Sequence, residues 1–253
     1  MEDYTQKYAK YYDLLTSHKD YDAEVNMLAG FLEKEGFGPE ARVLSVGCGT
    51  GSHERLLASR VHEIIGIDQS KHMINYGHQK NEIKNLTLKD VDLTDLAEGE
   101  FDVVMSLFNV ANCVGDFAAL TTFFEGIAKK TRKEGIVIFE VWNPIAIIRV
   151  PPKVVAREYN EGDIRLTRVA TPYLYPQDGI LRLEYHIVGQ DSDKPVSIRS
   201  IHNIHLHSRE HLECCLRQAG FGSADWYSAL SEGMKPAVSN DRMLLCCARK
   251  TGS

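Results

Sequence analysis

"VLSVGCGTGSHERL", residues 43–56, decides the fold. An apolar run opens it, glycines follow at 47, 49 and 51, and a stretch that reads as a helix closes it. A Walker A loop is excluded, because no Gly-Lys-Ser/Thr follows. The dinucleotide fingerprint G-x-G-x-x-G/A also fails, since Ser52 stands at its third position. That loss matters, because pyrophosphate binding needs the helix N-terminus aimed at the anion. A G-x-G-x-G loop instead lets the backbone press against a ligand without phosphate. Glycine is required there because a Cβ would collide and positive φ is expected.

Outward from the loop, short apolar runs rich in β-branched residues recur at Val43–Val46, Ile64–Ile67, Leu86–Leu88, Val103–Leu107 and Ile136–Val141. Helix-like stretches separate them at Ser52–Ser59, Lys71–Lys80 and Phe117–Thr131, and an amphipathic helix at 22–36 precedes them. Such alternation predicts a parallel sheet covered on both faces. After Trp142 the pattern changes. Pro144, Pro151 and Pro152 break the chain, and three strand candidates follow without helices, the second at Ile180–Val188 and the third at Val196–Leu206. "PQDG" before the second is a turn: proline presets φ and glycine allows positive φ. Ser208 then reads as an N-cap and Gly220 as the stop of a last helix. Trp226–Leu230 and Met243–Ala248 read as closing strands.

The 253 residues suffice for one large core or a core with an appended subdomain. A hydrophobic share of 43% with 25% charged residues fits a globular protein, and no apolar run reaches bilayer length. The start, "MEDYTQKYAKYYD", lacks the apolar stretch of a secretory signal. A net charge of −6 without a basic cluster argues against nucleic acid. The six cysteines include the vicinal pairs 214/215 and 246/247 and no C-x-x-C spacing, which suits buried reduced thiols in the cytoplasm and no metal. Cys48, inside the glycine turn, reads as a small filler.

Two carboxylates complete the loop. Asp68 ends "IIGID" and is placed to accept both ribose hydroxyls, as in dinucleotide folds. Asp92, in "VDLTD", ends the third strand, where it can meet an adenine amino group. A single strand-end aspartate is more often an ordinary cap, but three elements in register at one sheet edge point to a nucleoside. Here the chain resembles the class I S-adenosylmethionine-dependent methyltransferases. "VLSVGCGTG", Asp68, "KDVDLTD", "FDVVMSLFNV" and "KKTRKEGIVIFEV" are similar to their successive motifs, and "LRQAGF" to their last helix-to-strand passage. Glu134-Gly135 replaces the family's Gly-Gly turn. The resemblance implies a Rossmann-like α/β fold: a seven-stranded, mostly parallel sheet with helices on both faces, plus an antiparallel β insert after strand five. The expected domains are a helical lid at 1–35, a cofactor-binding domain at 36–150 and 207–253, and the insert at 151–206. S-adenosylmethionine is the expected cofactor. Its expected contacts are Gly47, Cys48, Gly49 and Gly51 in the loop, Asp68, Gln69, Met73, Asp92 and Leu93 beyond it, and Leu107, Tyr12 and Tyr21.

A closer resemblance is to the bacterial N,N-dimethyltransferases of nucleotide-linked amino sugars. It rests on Tyr12-Asp13-Leu14 with Lys19-Asp20-Tyr21, on His202-Asn-Ile-His-Leu206, and on Glu140 with Trp142. It implies Tyr12 beside the sulfonium and Arg242 on the substrate, with Asn109, Asn112, Trp142 and Tyr175 as further substrate contacts. Those relatives carry a histidine just after strand four, where this chain reads "LFNVANCV" with Cys113 at or near that place. An amine acceptor needs no strong base, whereas a hydroxyl must lose its proton during attack, so amine transfer is the expected reaction.

The alternative reaction is small-molecule O-methylation with a histidine base, and a further one is a non-catalytic cofactor-binding protein. The base candidates are His205 and His207, which point the same way in an extended strand, with His202 and His211 nearby. The plainer reading of that group is a half-exposed strand edge, and no acidic partner joins it to hold a metal. Tyr4, Tyr8, Tyr11 and Tyr12 form an aromatic segment suited to a lid, with Tyr8 and Tyr12 on one face. The expected partner is a small-molecule acceptor, without membrane, and the candidate assembly is a homodimer.

Overall fold

A computed structural model describes residues 6–252, apart from the side chain of Ser231. Tyr4 therefore lies outside the described residues. The apolar runs become β1 (Arg42–Val46), β2 (Glu63–Ile67), β3 (Leu86–Lys89), β4 (Phe101–Ser106) and β5 (Thr131–Trp142). In β1 and β2 every residue after the first is buried, as a sheet covered on both faces requires. The pair β10 (Phe221–Ser228) and β11 (Met243–Lys250) completes seven strands in the order β10-β11-β5-β4-β1-β2-β3. Only the contacts of β11 with β5 and β10 are antiparallel.

Register aligns the site. Val43 pairs with both Ile64 and Val103, and Val103 with Ile136, so β1, β2, β4 and β5 end at one edge. The strand order reverses between β1 and β4, which opens a crevice outside their carboxyl ends.

Alternation along β5 divides the core. Ile136 and Ile138 join Val25, Leu28 and Leu32 of α2 (Tyr21–Lys34) and Leu57 of α3 (Ser52–Leu57). Val137 and Phe139 meet Leu120, Phe124 and Ile127 of α6 (Phe117–Lys130) and Leu212 and Leu216 of α8 (Arg209–Gln218). Asp20, Asp116 and Ser208 cap α2, α6 and α8 by accepting from Ala23, Ala119 and His211 N–H. Ser70 does the same for α4 (Lys71–His78), accepting from Met73.

The second sheet has order β6-β7-β8-β9, all antiparallel: β6 (Val155–Glu161), β7 (Ile164–Tyr175), β8 (Ile180–Asp191) and β9 (Lys194–His205). It has four strands where the sequence pattern gave three. The first, "VAREYNE", buries only Tyr159, so an edge strand held by backbone pairing leaves no alternation to read. Pro144 starts a helix rather than breaking the chain. It opens α7 (Pro144–Arg149) beneath an Asn143 cap, where a missing N–H costs nothing. At the end of the chain β10 begins at Phe221, directly after Gly220 (φ +88) stops α8, and Leu230 falls in a 3₁₀ turn rather than in the strand.

Helix α1 (Gln6–Thr16) covers the second sheet. Tyr8, Tyr11 and Leu15 pack on Tyr159, Leu166, Ile187 and Ile198, and Leu15 is fully buried. Further along the same face Ile147 of α7 packs with Leu181, Ile204 and Trp142. Among the described residues no helix is long and apolar enough to cross a membrane.

Candidate active site

The glycine loop leaves β1 and folds back on β2: Gly47 and Cys48 N–H both donate to Ile67 O, at 2.8 and 3.0 Å. Gly47 (φ +75) admits no side chain, since a Cβ there would lie 2.4 Å from Val110 Cγ2. Gly49 (φ +58) faces the crevice, and its Cβ would meet Met73 Cε at 3.3 Å and Tyr12 Cε1 at 3.8 Å. The loop thus presents bare backbone to a space walled by Tyr12 and Met73. The thiol of Cys48 turns away and packs against Gly66, and burial pushes it well above its ordinary range.

Asp68 locks the loop to the β2 edge. Its Oδ2 accepts from Gly49 N–H at 2.9 Å and its Oδ1 from Ser70 N–H at 2.8 Å. Burial raises its carboxyl above the usual 3.8, against the lowering effect of those two donors. Each carboxylate oxygen retains a lone pair, so a vicinal diol can still be accepted. Asp92 follows β3; its Oδ1 accepts from Thr94 N–H and Oγ1 at 2.9 and 2.8 Å, and Gln69 Nε2 donates to its Oδ2. The Thr94 N–H is the main cause that holds this carboxyl below its ordinary value. Gln69 and Asp92 therefore form one polar edge beside Asp68. The side chain of Leu93 goes instead into the core near Gly126, and Leu107 is buried at the end of β4.

Helix α1 closes over this edge. The Tyr12 ring borders Gly49, and the Tyr8 ring stands 6.2 Å beyond it. Asp13 Oδ1 accepts from Thr50 Oγ1 at 2.5 Å, and its Oδ2 pairs with Lys80 at 2.9 Å. Sequence reasoning gave Asp13 no role beyond its place in Tyr12-Asp13-Leu14, because only docking of α1 on the loop brings these partners to it. Tyr21, at the start of α2, sets its ring 4.8 Å from His53, and burial raises its phenol. His53 and Lys19 both reach Glu24, at 2.9 and 2.8 Å.

Across the crevice, β4 passes through a turn into α5 (Val110–Cys113). Asn109 is buried at φ +66, with an Oδ1 that has no hydrogen-bond partner. Asn112 ties three elements together, accepting from Trp142 N–H at 2.9 Å and donating to His205 O at 2.6 Å. Arg242 sits at the entry to β11 and donates from Nη1 to Val150 O at 3.0 Å, while its carbonyl accepts from Asn143 N–H. Trp142 and Arg242 thus flank α7.

The side chains of Tyr175 and His205 turn away from the face that α1 covers, whereas His207 lies beside Gly115 and Asp116, just past α5. On β9, Ile198, Ser200, His202 and Ile204 are the buried residues, on the face that α1 and α7 cover. The two-residue period puts His205 on the opposite face, together with its cross-strand neighbours Ile180 and Tyr175. His207 lies past the strand, stacked on His205 at 6.0 Å, and burial chiefly lowers it to about 4. The histidine that faces α1 is His202, 5.7 Å from the Tyr8 ring and 5.1 Å from Tyr185, with Nε2 2.8 Å from Ser200 Oγ. Burial, with Arg168 nearby, lowers it to about 4. No group of three or more potential metal ligands occurs among the described residues.

Residues 43–135 match the methyltransferase domain family. The chain is similar to the dTDP-3-amino-3,6-dideoxy-alpha-D-glucopyranose N,N-dimethyltransferase of Streptomyces fradiae, with 28% identity over 224 residues, 86% of this chain and 85% of that enzyme. Similarity to a Bacillus subtilis protein, also 28% identical, is shorter, covering 58% of this chain and 59% of the relative's length. Among solved structures, Streptomyces venezuelae DesVI superposes with a TM-score of 0.79 at 21% identity over 97% of this chain and 99% of that one. The matched methyltransferase domain spans the glycine loop and both strand-end carboxylates, in the strand order described.

Proposed function

We propose that this enzyme methylates the amino group of a small molecule, a nucleotide-linked amino sugar. The observation that carries the acceptor atom is the turn after β4. It reads Phe108-Asn-Val-Ala-Asn-Cys113, without imidazole or carboxylate, while His205 turns to the other face of its sheet. His202 and His207, both lowered to about 4, are weak bases. An alcohol must lose its proton as it attacks, whereas a neutral amine attacks through its lone pair and sheds the proton afterwards. Such a crevice acts by holding donor and acceptor in line, which supplies several kcal/mol by itself.

The sugar-linked acceptor is supported by similarity along most of the chain to the Streptomyces enzymes named for such substrates. S-adenosylmethionine would supply the electrophilic methyl group. Asp68 would hold the ribose hydroxyls, Asp92 and Gln69 the adenine amino group, and Tyr12 and Met73 the wall near the reacting centre. Asn109, Asn112, Trp142 and Arg242 would line the acceptor side. Residues 1–35 would serve as the lid, 36–150 with 207–253 as the cofactor domain, and 151–206 as the acceptor-side insert.

The test is transfer of labelled methyl to dTDP-3-amino-3,6-dideoxyglucose and to its 3-hydroxy counterpart. Label in the amino compound alone is expected. Label only in hydroxyl compounds would overturn the amine reading, and cofactor binding without turnover of either class would favour a non-catalytic role.

A further inference from the structure

Glu140 is a carboxylate within Ile136–Trp142, the otherwise apolar part of β5. It stands in β5 between Phe139 and Val141 and is 2% exposed. Alternation puts it on the face of Ile136 and Ile138, where an unpartnered carboxylate would be costly. Both of its oxygens find backbone donors. Oε2 accepts from Phe108 N–H at 3.0 Å, and Oε1 from Leu230 N–H at 3.3 Å.

The first of these donors is unusual. Phe108 and Asn109 stand at φ +58 and +66, two successive side-chain-bearing residues in the left-handed region. This turn delivers Val110 against Gly47 and starts α5, whose Asn112 binds both Trp142 and His205. One strained turn therefore sets the wall that faces the glycine loop across the β1–β4 crevice. The local sequence offers little to enforce it, since glycine is absent from 107–114 and only Asn109 is of a type that readily visits this region.

We propose that Glu140 is a positioning residue for methyl transfer, its carboxylate bracing the left-handed turn after β4 so that the acceptor wall is fixed against the glycine loop. This rests on reading the β1–β4 crevice as the place of methyl transfer. Glu140 touches neither reactant; it acts through Phe108 and Asn109. Glu140→Gln keeps size and shape but offers one acceptor oxygen, so one of the two N–H groups faces an amide NH₂.

In full-length enzyme, Glu140→Gln is expected to lower kcat by about tenfold or more and to leave the dissociation constant for S-adenosylhomocysteine within about threefold, because Asp68 and Asp92 are untouched. Phe108→Gly supplies a residue that adopts positive φ without a brace. In that background the added loss from Glu140→Gln should shrink to about threefold or less. A kcat within about twofold of wild type, equal losses in both backgrounds, or a cofactor affinity that falls in step with kcat would each overturn the proposal. Amide exchange at Phe108 and Leu230, read by NMR, separates this inference from the acceptor reading. Faster exchange in Glu140→Gln is expected even if wild type methylates no amino sugar, and unchanged exchange at both amides overturns the brace.

Discussion

On the proposed reading, Asp68 would make the largest single contribution to cofactor binding. Its carboxylate is already charged with two tasks, holding Gly49 and capping Ser70. Adding a ribose diol makes charge-assisted bonds, so Asp68→Asn should weaken S-adenosylhomocysteine by about 1.5–3 kcal/mol, roughly ten- to 150-fold, in calorimetry. Unchanged affinity would remove the ribose from this residue. The pH dependence has a definite sign. The ionised carboxylate is the acceptor, and burial raises its pKa above the ordinary 3.8. Affinity in wild type should therefore fall on acidification at a higher pH than an exposed aspartate would give. In Asp68→Asn that decline should be missing.

At the scale of elements, α1 covers the loop. Two kinds of contact hold it down. Asp13 meets Thr50 and Lys80, but the Asp13–Lys80 pair is partly exposed, at 45% and 28%, and such pairs contribute about 0–1 kcal/mol. Leu15, by contrast, is fully buried between α1 and the second sheet, where truncation to alanine costs about 2–5 kcal/mol. Leu15→Ala should thus undock the helix far more than Asp13→Ala. The expected result is cleavage of the N-terminal segment by limited proteolysis and release of S-adenosylhomocysteine faster by at least about tenfold in stopped flow. Asp13→Ala should change release by no more than about fivefold. Equal effects of the two variants would mean that the apolar face does not dominate closure.

The whole molecule should be acid-sensitive through its buried histidines. His202 and His207 have folded pKa values of about 4, against 6.5 ordinarily, chiefly because burial disfavours the cation. Below 6.5 the unfolded chain takes up protons that the folded chain refuses. Stability is therefore complete above pH 6.5 and declines as pH falls towards 4, by roughly 2 kcal/mol per histidine at pH 5. Urea unfolding at pH 7 and pH 5 reads this directly. His202→Gln should remove about half of the decline, and an undiminished slope would assign the acid sensitivity to carboxylates instead.

The parallel core, the Ser208 cap and Gly220 stop of the last helix, and the glycine loop with its two strand-end aspartates were legible in the sequence. β-branched runs, N-cap residues and a glycine loop followed by two strand-end aspartates act over a few residues each, so their meaning survives without tertiary context. What could not be read depends on which face of a strand a distant element covers. Period two establishes that His202 and His205 point to opposite sides, but only the docking of α1 and α7 decides that the side of His202 is inward. Strand β6 escaped because edge pairing uses its backbone and buries one side chain. Tyr12 meets Gly49, and Glu140 meets Leu230, across long stretches of chain. The sequence by itself determined the fold and the polar edge of Asp68 and Asp92 beside the glycine loop, because local pattern and turn chemistry specify them. The wall across the β1–β4 crevice was decided by tertiary structure, because its charges and strained turns take their partners from elements that meet only when the chain has folded.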